Sequence, residues 1–285
     1  MITFREFCKR LSEVYGEREA KAMARLVYER RFGLSFTDVC MGKDTQLSAN
    51  DHIAAEEIAD RLCSHEPVQY VLGEAWFDGM WLKVRPGVLI PRPETAELCQ
   101  WVAEEWNSHP AGNGAGPYRL LDCCTGSGCI ALDLKRLMPM FDVDAYDLSE
   151  KALAVVRENI ALTGFQVNLY RDDAVRPECL GGCYDLIISN PPYVCTGERE
   201  EMEPHVLEHE PEMALFVPDD NPLLYYRAIA RQAWESLRHG GRLYFEINPR
   251  FSEDMHSMLL ACGFVNILTK ADMQGYLRMM RAERP

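Results

Sequence analysis

The chain predicts an α/β fold: a doubly wound, mostly parallel sheet of seven strands, preceded by a small helical domain and a β-hairpin connector. Three observations lead there. The first 65 residues carry apolar side chains at helical spacing. From Arg119 onward, short apolar runs alternate with helical stretches, the order that builds a parallel sheet. The run Tyr184-Asp185-Leu186-Ile187-Ile188-Ser189 ends in Asn190-Pro191-Pro192-Tyr193, as a buried strand does when it stops at its carboxyl end.

The elements follow in order. Glu17 to Arg31 places Ala20, Met23, Leu26, Val27 and Tyr28 on a helix that stops at Gly33, a C-cap. A second helix starts at a cap within Ser48 to Asp51 and carries Ala54, Ile58 and Leu62 four apart. Val68, Tyr70 and Val71 read as a short strand, and Trp76 to Trp81 as a hairpin around Asp78-Gly79. Gly87 to Thr95 leads into a helix over Ala96 to Trp106, with Arg92 and Glu94 at an exposed helix start and Pro93 in its first turn. A Gly- and Pro-rich loop, Asn107 to Pro117, precedes the sheet. Strands are expected at Arg119 to Cys123, Val143 to Tyr146, Val167 to Tyr170, Leu186 to Ser189, Arg242 to Ile247, Val265 to Leu268 and Leu277 to Arg281. Helices are expected at Glu150 to Leu162, Leu223 to Leu237 and Ser252 to Cys262.

Composition narrows the function. The 285 residues, 47% of them hydrophobic, suffice for one large or two ordinary domains with a sizeable core. No window has the roughly 18 uninterrupted apolar residues of a membrane span, and Met1 to Glu6 lacks the basic-then-apolar order of a signal peptide. A cytoplasmic protein without a membrane partner is expected. The 11 cysteines are odd in number and include no C-x-x-C pair, which fits small core residues in a reducing compartment and no metal site. A net charge of -14 argues against a partner held by its phosphates, and suits a basic protein surface better.

Two stretches carry the chemistry. An Asn side-chain oxygen and a carbonyl fixed before a proline are two acceptors, matched to the two donors of a planar NH2 group, and Tyr193 offers a ring to cover its face. Asn190, Pro191, Pro192 and Tyr193 therefore form a cradle for an amide or an exocyclic amine. The loop Asp122-Cys123-Cys124-Thr125-Gly126-Ser127-Gly128 joins the first sheet strand to a helix, and its glycines let backbone approach a ligand. Gly126-x-Gly128-x-x-Ala131, with Asp147 further on, also fits a dinucleotide fingerprint, so an NAD oxidoreductase is a rival. An acid at Asp122 and the amine-gripping corner favour a sulfonium cofactor. S-adenosyl-L-methionine would set its ribose on Asp147, its adenine near Asp172, Asp173 and Ala174, and its methyl toward Asn190.

With these residues in view, the chain resembles the release-factor glutamine methyltransferases, the HemK/PrmC family. Pro67 to Gly73, Gly87 to Thr95, Asp122 to Gly128, Tyr146 to Ser149, Asn190 to Tyr193, Glu210 to Leu215 and Lys270 to Gly275 carry the likeness. The resemblance implies a class I, Rossmann-like methyltransferase fold with a substrate-recognition domain at 1–73, a hairpin linker at 74–90 and a catalytic domain at 91–285. It implies N5-methylation of the Gln in the Gly-Gly-Gln loop of class 1 peptide chain release factors, with S-adenosyl-L-homocysteine as second product and no metal. It assigns the cofactor to Cys124 to Gly128, Asp147, Asp173, Ala174 and Asn190, and the substrate Gln to Asn190 through Tyr193. Two positions depart from the family pattern, Cys124 and Asn248, each standing where the family usually has Gly. Cys124 then needs a permissive backbone angle or a displaced methionine moiety.

A carboxamide nitrogen is a poor nucleophile. Acceptors at Asn190 and Pro191 would orient it, favour a pyramidal nitrogen and stabilise its developing positive charge, with no general base. Methylation of an exocyclic amine of a nucleic-acid base, adenine N6 or guanine N2, is the alternative, but needs a basic track for the strand. His205 to His209 matches an H-x-x-E-H pattern, here in a short acidic segment read as a loop. A binding module that had lost catalysis would not be expected to keep Asn190 and Asp147.

Overall fold

A computed structural model describes residues 2–109, 117–177 and 182–285, and these divide into two compact units. Most of the Gly- and Pro-rich loop expected over Asn107 to Pro117 lies outside the described residues.

The first unit, residues 1–74 with 203–209, is helical. It contains α1 (Phe4–Ser12), α2 (Glu17–Phe32), α3 (Phe36–Cys40), α4 (Ala49–Cys63) and α5 (Val68–Leu72). Thr3 and Glu6 close α1 with a reciprocal capping box, each side chain accepting from the other's amide. Gly33, at φ +67°, ends α2, and the Ser48 hydroxyl accepts from the Asp51 amide to start α4, both as expected. Phe7, Leu11, Val27, Tyr28, Ile58 and Leu62 fill the core, with Phe4 and Phe7 edge-on to Tyr28. The stretch Val68 to Val71, expected as a strand, is α5. Pro67 opens it, Gly73 at φ +72° closes it, and Val68, Val71 and Leu72 pack on the helical core, so local burial overrides β-branched preference.

The second unit spans residues 75–202 and 210–285. Strands β1 (Glu74–Phe77) and β2 (Met80–Lys83) form the expected hairpin, turned by Asp78 and Gly79 at φ +38° and +87°. Helix α6 (Pro93–Ser108) follows, and then β3 (Tyr118–Cys123), α7 (Cys129–Leu137), β4 (Phe141–Asp147), α8 (Glu150–Thr163), β5 (Asn168–Arg171) and β6 (Tyr184–Ser189). Beyond β6 come β7 (Val194–Cys195), β8 (Phe216–Val217), α11 (Leu224–Ser236), β9 (Leu237–Glu246), α12 (Ser252–Ala261), β10 (Val265–Ala271) and β11 (Leu277–Glu283). The short helices α9 (Pro204–His209) and α10 (Glu212–Leu215) lie in sequence between β7 and β8. Residues 205–209, read as loop, are thus helical.

The seven strands run in the order β10-β11-β9-β6-β3-β4-β5. β9, β6, β3, β4 and β5 run parallel to one another, whereas β11 is antiparallel to both β9 and β10. This is the expected mostly parallel sheet. β9 starts five residues before the expected Arg242, because the chain crosses Gly240 (φ +77°) and Gly241 in an irregularity opposite β6 and re-enters the ladder. A small parallel pair, β7 with β8, carries no period long enough to read in the sequence.

After β3 the chain builds outward through β4 and β5, then returns to place β6 on the other side of β3. At that reversal Cys123 pairs with Ser189, and the Ser189 hydroxyl donates to the Cys123 carbonyl at 2.6 Å. The loops after β3 and β6 leave the sheet side by side, and a cleft opens at the switch point of such a sheet.

Candidate active site

The cleft and its open mouth together span about 910 Å³. Its floor is the loop Cys124 to Ser127, one wall carries Asp147 to Ser149 at the tip of β4, and Asp173 and Ala174 after β5 close the far end. Gly87 to Arg92, Thr95, Asn190, Pro192, Met213, Ala214 and Tyr225 also line it.

The floor is shaped by backbone angles. Cys124, Gly126 and Gly128 have φ of +61°, +57° and +81°. At Gly128 the need for glycine is double, since a Cβ would come within 2.7 Å of Val156 Cγ1 on α8. Cys124 adopts the permissive angle its position demands, although a side chain in that region carries a cost of about 1 kcal/mol. The loop is anchored to the β4 tip: Gly126 N donates to Asp147 Oδ2 at 2.9 Å, and Ser149 N to Asp147 Oδ1 at 2.8 Å. Each carboxylate oxygen keeps a lone pair for a ligand hydroxyl. Burial pushes the Asp147 carboxyl up, against the pull of those amides.

Of the residues expected to hold the cofactor, Cys124, Thr125, Gly126, Ser127, Asp147, Asp173, Ala174 and Asn190 line this one cleft. Asp122 and Gly128 do not. Asp122 is buried beneath the loop, where its Oδ2 accepts from Thr125 Oγ1 at 2.6 Å and from Ala131 N at 3.2 Å. Desolvation lifts its pKa to about 7. It braces the loop from below and does not face the cleft. Gly128 begins α7 and presses on Val156.

In the corner, Asn190 and Pro192 reach the cleft, whereas Pro191 and Tyr193 stand outside its lining. The Asn190 Nδ2 donates to Thr95 Oγ1 at 3.3 Å, and Thr95 Oγ1 donates to Glu246 Oε2 at 2.6 Å. The other Glu246 oxygen accepts from Tyr193 Oη at 3.0 Å. Tyr193 packs against the cluster around Tyr226 and Phe245, with its hydroxyl committed to Glu246. Glu246 is buried, and desolvation raises its pKa while Thr95, Tyr193 and the nearby Arg278 oppose the rise. Asn248 replaces the usual family glycine without strain, at φ -72°. Its Nδ2 donates to the Tyr193 carbonyl at 3.2 Å and to Glu198 Oε1 at 3.0 Å, tying the corner to the end of β9.

The segment Gly87 to Thr95, expected as a helix approach and as a carrier of the family likeness, contributes Gly87 to Arg92 and Thr95 to the cleft. Arg92 pairs with the buried Glu210, which also accepts from Ile90 N at 3.2 Å, holding 90–92 against 210. Glu246, Tyr225 and Met213 were not singled out. For Glu246 a signal exists, an acid ending the apolar run Leu243-Tyr244-Phe245, as Asp147 ends its own strand. Tyr225 and Met213 sit in ordinary amphipathic surroundings that give no such sign. Among the described residues no group of three His, Cys, Asp or Glu is placed to hold a metal ion, and no helix is long and apolar enough to cross a membrane.

Comparison with known proteins decides the family. The chain is 44% identical over 275 residues to a release factor glutamine methyltransferase of Bacteroides thetaiotaomicron, covering 96% of both chains. The chain belongs to the release factor glutamine methyltransferase family. A relative so named from Flavobacterium psychrophilum is 35% identical over 97% of this chain and 96% of its own, and one from Deinococcus radiodurans is 33% identical over 92% and 90%. The family description PrmC N-terminal domain matches residues 3–73, and Methyltransferase small domain matches residues 115–209. Among solved structures, the hMettl16 catalytic domain aligns over 80% of each chain with a TM-score of 0.54 at 14% identity. A Thermus thermophilus 16S rRNA N2 G1207 methyltransferase aligns over 74% of this chain and 50% of its own, at 0.53 and 19%. At those identities the likeness is one of fold, the class I methyltransferase fold.

Proposed function

We propose that the chain methylates the side-chain nitrogen of the Gln in the Gly-Gly-Gln loop of class 1 peptide chain release factors, drawing on S-adenosyl-L-methionine. The observation that carries this reading is the position of Asn190, just past the end of β6, in the lining of a cleft that Asp147 and Asp173 share.

The cleft suits the cofactor by its donor set. The Cys124 to Ser127 loop, Asp147 with a free lone pair on each carboxylate oxygen, and Ala174 and Tyr225 line one cleft, and these residues would hold the methionine, ribose and adenine parts of the cofactor respectively. When bound, S-adenosyl-L-methionine supplies an electrophilic methyl group and leaves as S-adenosyl-L-homocysteine. The chain's own residues act on the glutamine. Asn190 Oδ1 and the Pro191 carbonyl accept from the amide NH2, turn its lone pair out of conjugation and stabilise the charge that grows on nitrogen. Holding that nitrogen in line substitutes for entropy otherwise lost at the barrier, an effect on the order of 7 to 11 kcal/mol at best. The proton is then released to solvent, so no buried base is needed.

We assign residues 1–73 to recognition of the release factor, 74–90 to a linker and 91–285 to the chemistry, in a cytoplasmic enzyme. A net charge of -14 supports a basic protein partner over a phosphate backbone. The test is label transfer from radioactive S-adenosyl-L-methionine to a release factor, its loop Gln→Ala variant, duplex DNA and ribosomal RNA. Label on the intact factor alone supports the reading; label on nucleic acid alone overturns it.

A further inference from the structure

The wall behind Asn190 sets which end of its amide faces the cleft. A threonine hydroxyl has one hydrogen to donate. Thr95 lies in the first turn of α6, and its hydroxyl donates across 2.6 Å to Glu246 Oε2, which in its ionised form can only accept. The hydrogen is spent there, so toward Asn190, 3.3 Å away, the Thr95 oxygen can only accept. The Asn190 NH2 must therefore turn to the wall and its Oδ1 to the opposite side. Glu246 is itself held, for its other oxygen accepts from Tyr193 Oη at 3.0 Å. With Thr95 and Asn190 both lining the cleft, the polarity of this chain reaches the place where the substrate amide is to be bound.

We propose that Thr95 and Glu246 are positioning residues that fix the Asn190 amide with its oxygen toward the substrate nitrogen. The inference rests on the reading of Asn190 as an acceptor for the glutamine NH2. Without the relay an Asn side chain turns over at little cost and presents its own NH2 to the substrate's, donor against donor. Tyr193 enters the same account as the residue that keeps Glu246 in place, since its hydroxyl is already engaged. Neither Thr95 nor Glu246 touches the reacting atoms. Their effect passes through Asn190.

The experiment compares Thr95→Val and Thr95→Ser in the full chain, with release-factor methylation, cofactor binding by calorimetry and melting temperature all measured. Valine keeps the shape and loses the hydroxyl; serine keeps the hydroxyl. The expected result for Thr95→Val is a fall in kcat of about 10- to 100-fold, with cofactor affinity within about threefold of wild type, and Thr95→Ser within about threefold in kcat. Equal kcat for Thr95→Val and wild type would overturn the inference while leaving the function standing, and so would equal losses in the Val and Ser variants that track a lowered melting temperature. If the wild-type protein labels no glutamine, it is the reading of the site that fails. A second measurement needs no variant. In protein labelled with 15N-asparagine, one Asn190 Nδ2 proton is expected to show a nuclear Overhauser contact to the Thr95 side chain, and absence of that contact in an otherwise assigned Asn190 overturns the proposed orientation.

Discussion

The Gly126 amide donates to Asp147 Oδ2 across 2.9 Å, so the loop after β3 is fastened to the tip of β4. One carboxylate thus shapes the cleft floor and faces its interior. Asp147→Asn puts an NH2 against the Gly126 or the Ser149 amide, two donors face to face. Binding of S-adenosyl-L-homocysteine, measured by calorimetry, is expected to weaken by about 10- to 100-fold, a loss of roughly 1–3 kcal/mol.

Gly128 carries both a left-handed backbone and a close approach to Val156. Gly128→Ala is expected to destabilise the protein by about 2 kcal/mol or more, from backbone cost plus overlap. Val156→Ala in the same chain should return the part due to overlap and leave the backbone part. Denaturant unfolding of the two single variants and the double variant reads this as non-additivity.

Cys124 holds φ +61° with a side chain. Cys124→Gly removes a strain of about 1 kcal/mol and adds a similar entropy to the unfolded chain, so the melting temperature is expected to stay within about 5 °C of wild type. Cys124→Val, branched at Cβ, is expected to lower it clearly, by the order of 2 kcal/mol in stability. Thermal unfolding of both variants checks the pair.

The sheet was legible because its strands are apolar runs bounded by glycine, proline or acids, as at Leu120 to Cys123 and Leu186 to Ser189. The cleft floor was legible because positive φ favours glycine, and the sequence spells Gly126-Ser127-Gly128. The Val68 to Val71 stretch misled because β-branched residues at short range say strand, whereas the side chains Val68, Val71 and Leu72 pack on a helical core. Tyr193 is expected from sequence to cover the substrate amide; the structure engages its hydroxyl with Glu246, 53 residues away, a pairing that no local pattern announces. Thr95 lies 95 residues from Asn190 and 151 from Glu246, and its role was hidden because a hydrogen-bond relay has no period.

Asp122 gives a pH signature. Its pKa rises from 3.8 to about 7 on folding, chiefly through desolvation, so the folded state takes up a proton that the unfolded state lacks in this window. Its contribution to stability is full below about pH 4 and is lost as pH rises through about 7. Asp133, on α7, is also lifted to about 7 by desolvation against its bond to Arg136, and loses stability in the same direction. Asp122→Asn is therefore expected to reduce the fall in stability between pH 5 and pH 8, leaving the share of Asp133. Urea unfolding at several pH values in that range, with equal slopes for variant and wild type, would refute the assignment to Asp122.

The most direct measurement of the central claim is tandem mass spectrometry of a class 1 release factor after incubation with S-adenosyl-L-methionine and either the wild-type chain or Asn190→Ala. The account predicts one added methyl on the side-chain nitrogen of the Gly-Gly-Gln glutamine with wild type, and at most a trace with Asn190→Ala. A methyl at any other residue, or equal methylation of the glutamine by Asn190→Ala, would contradict it.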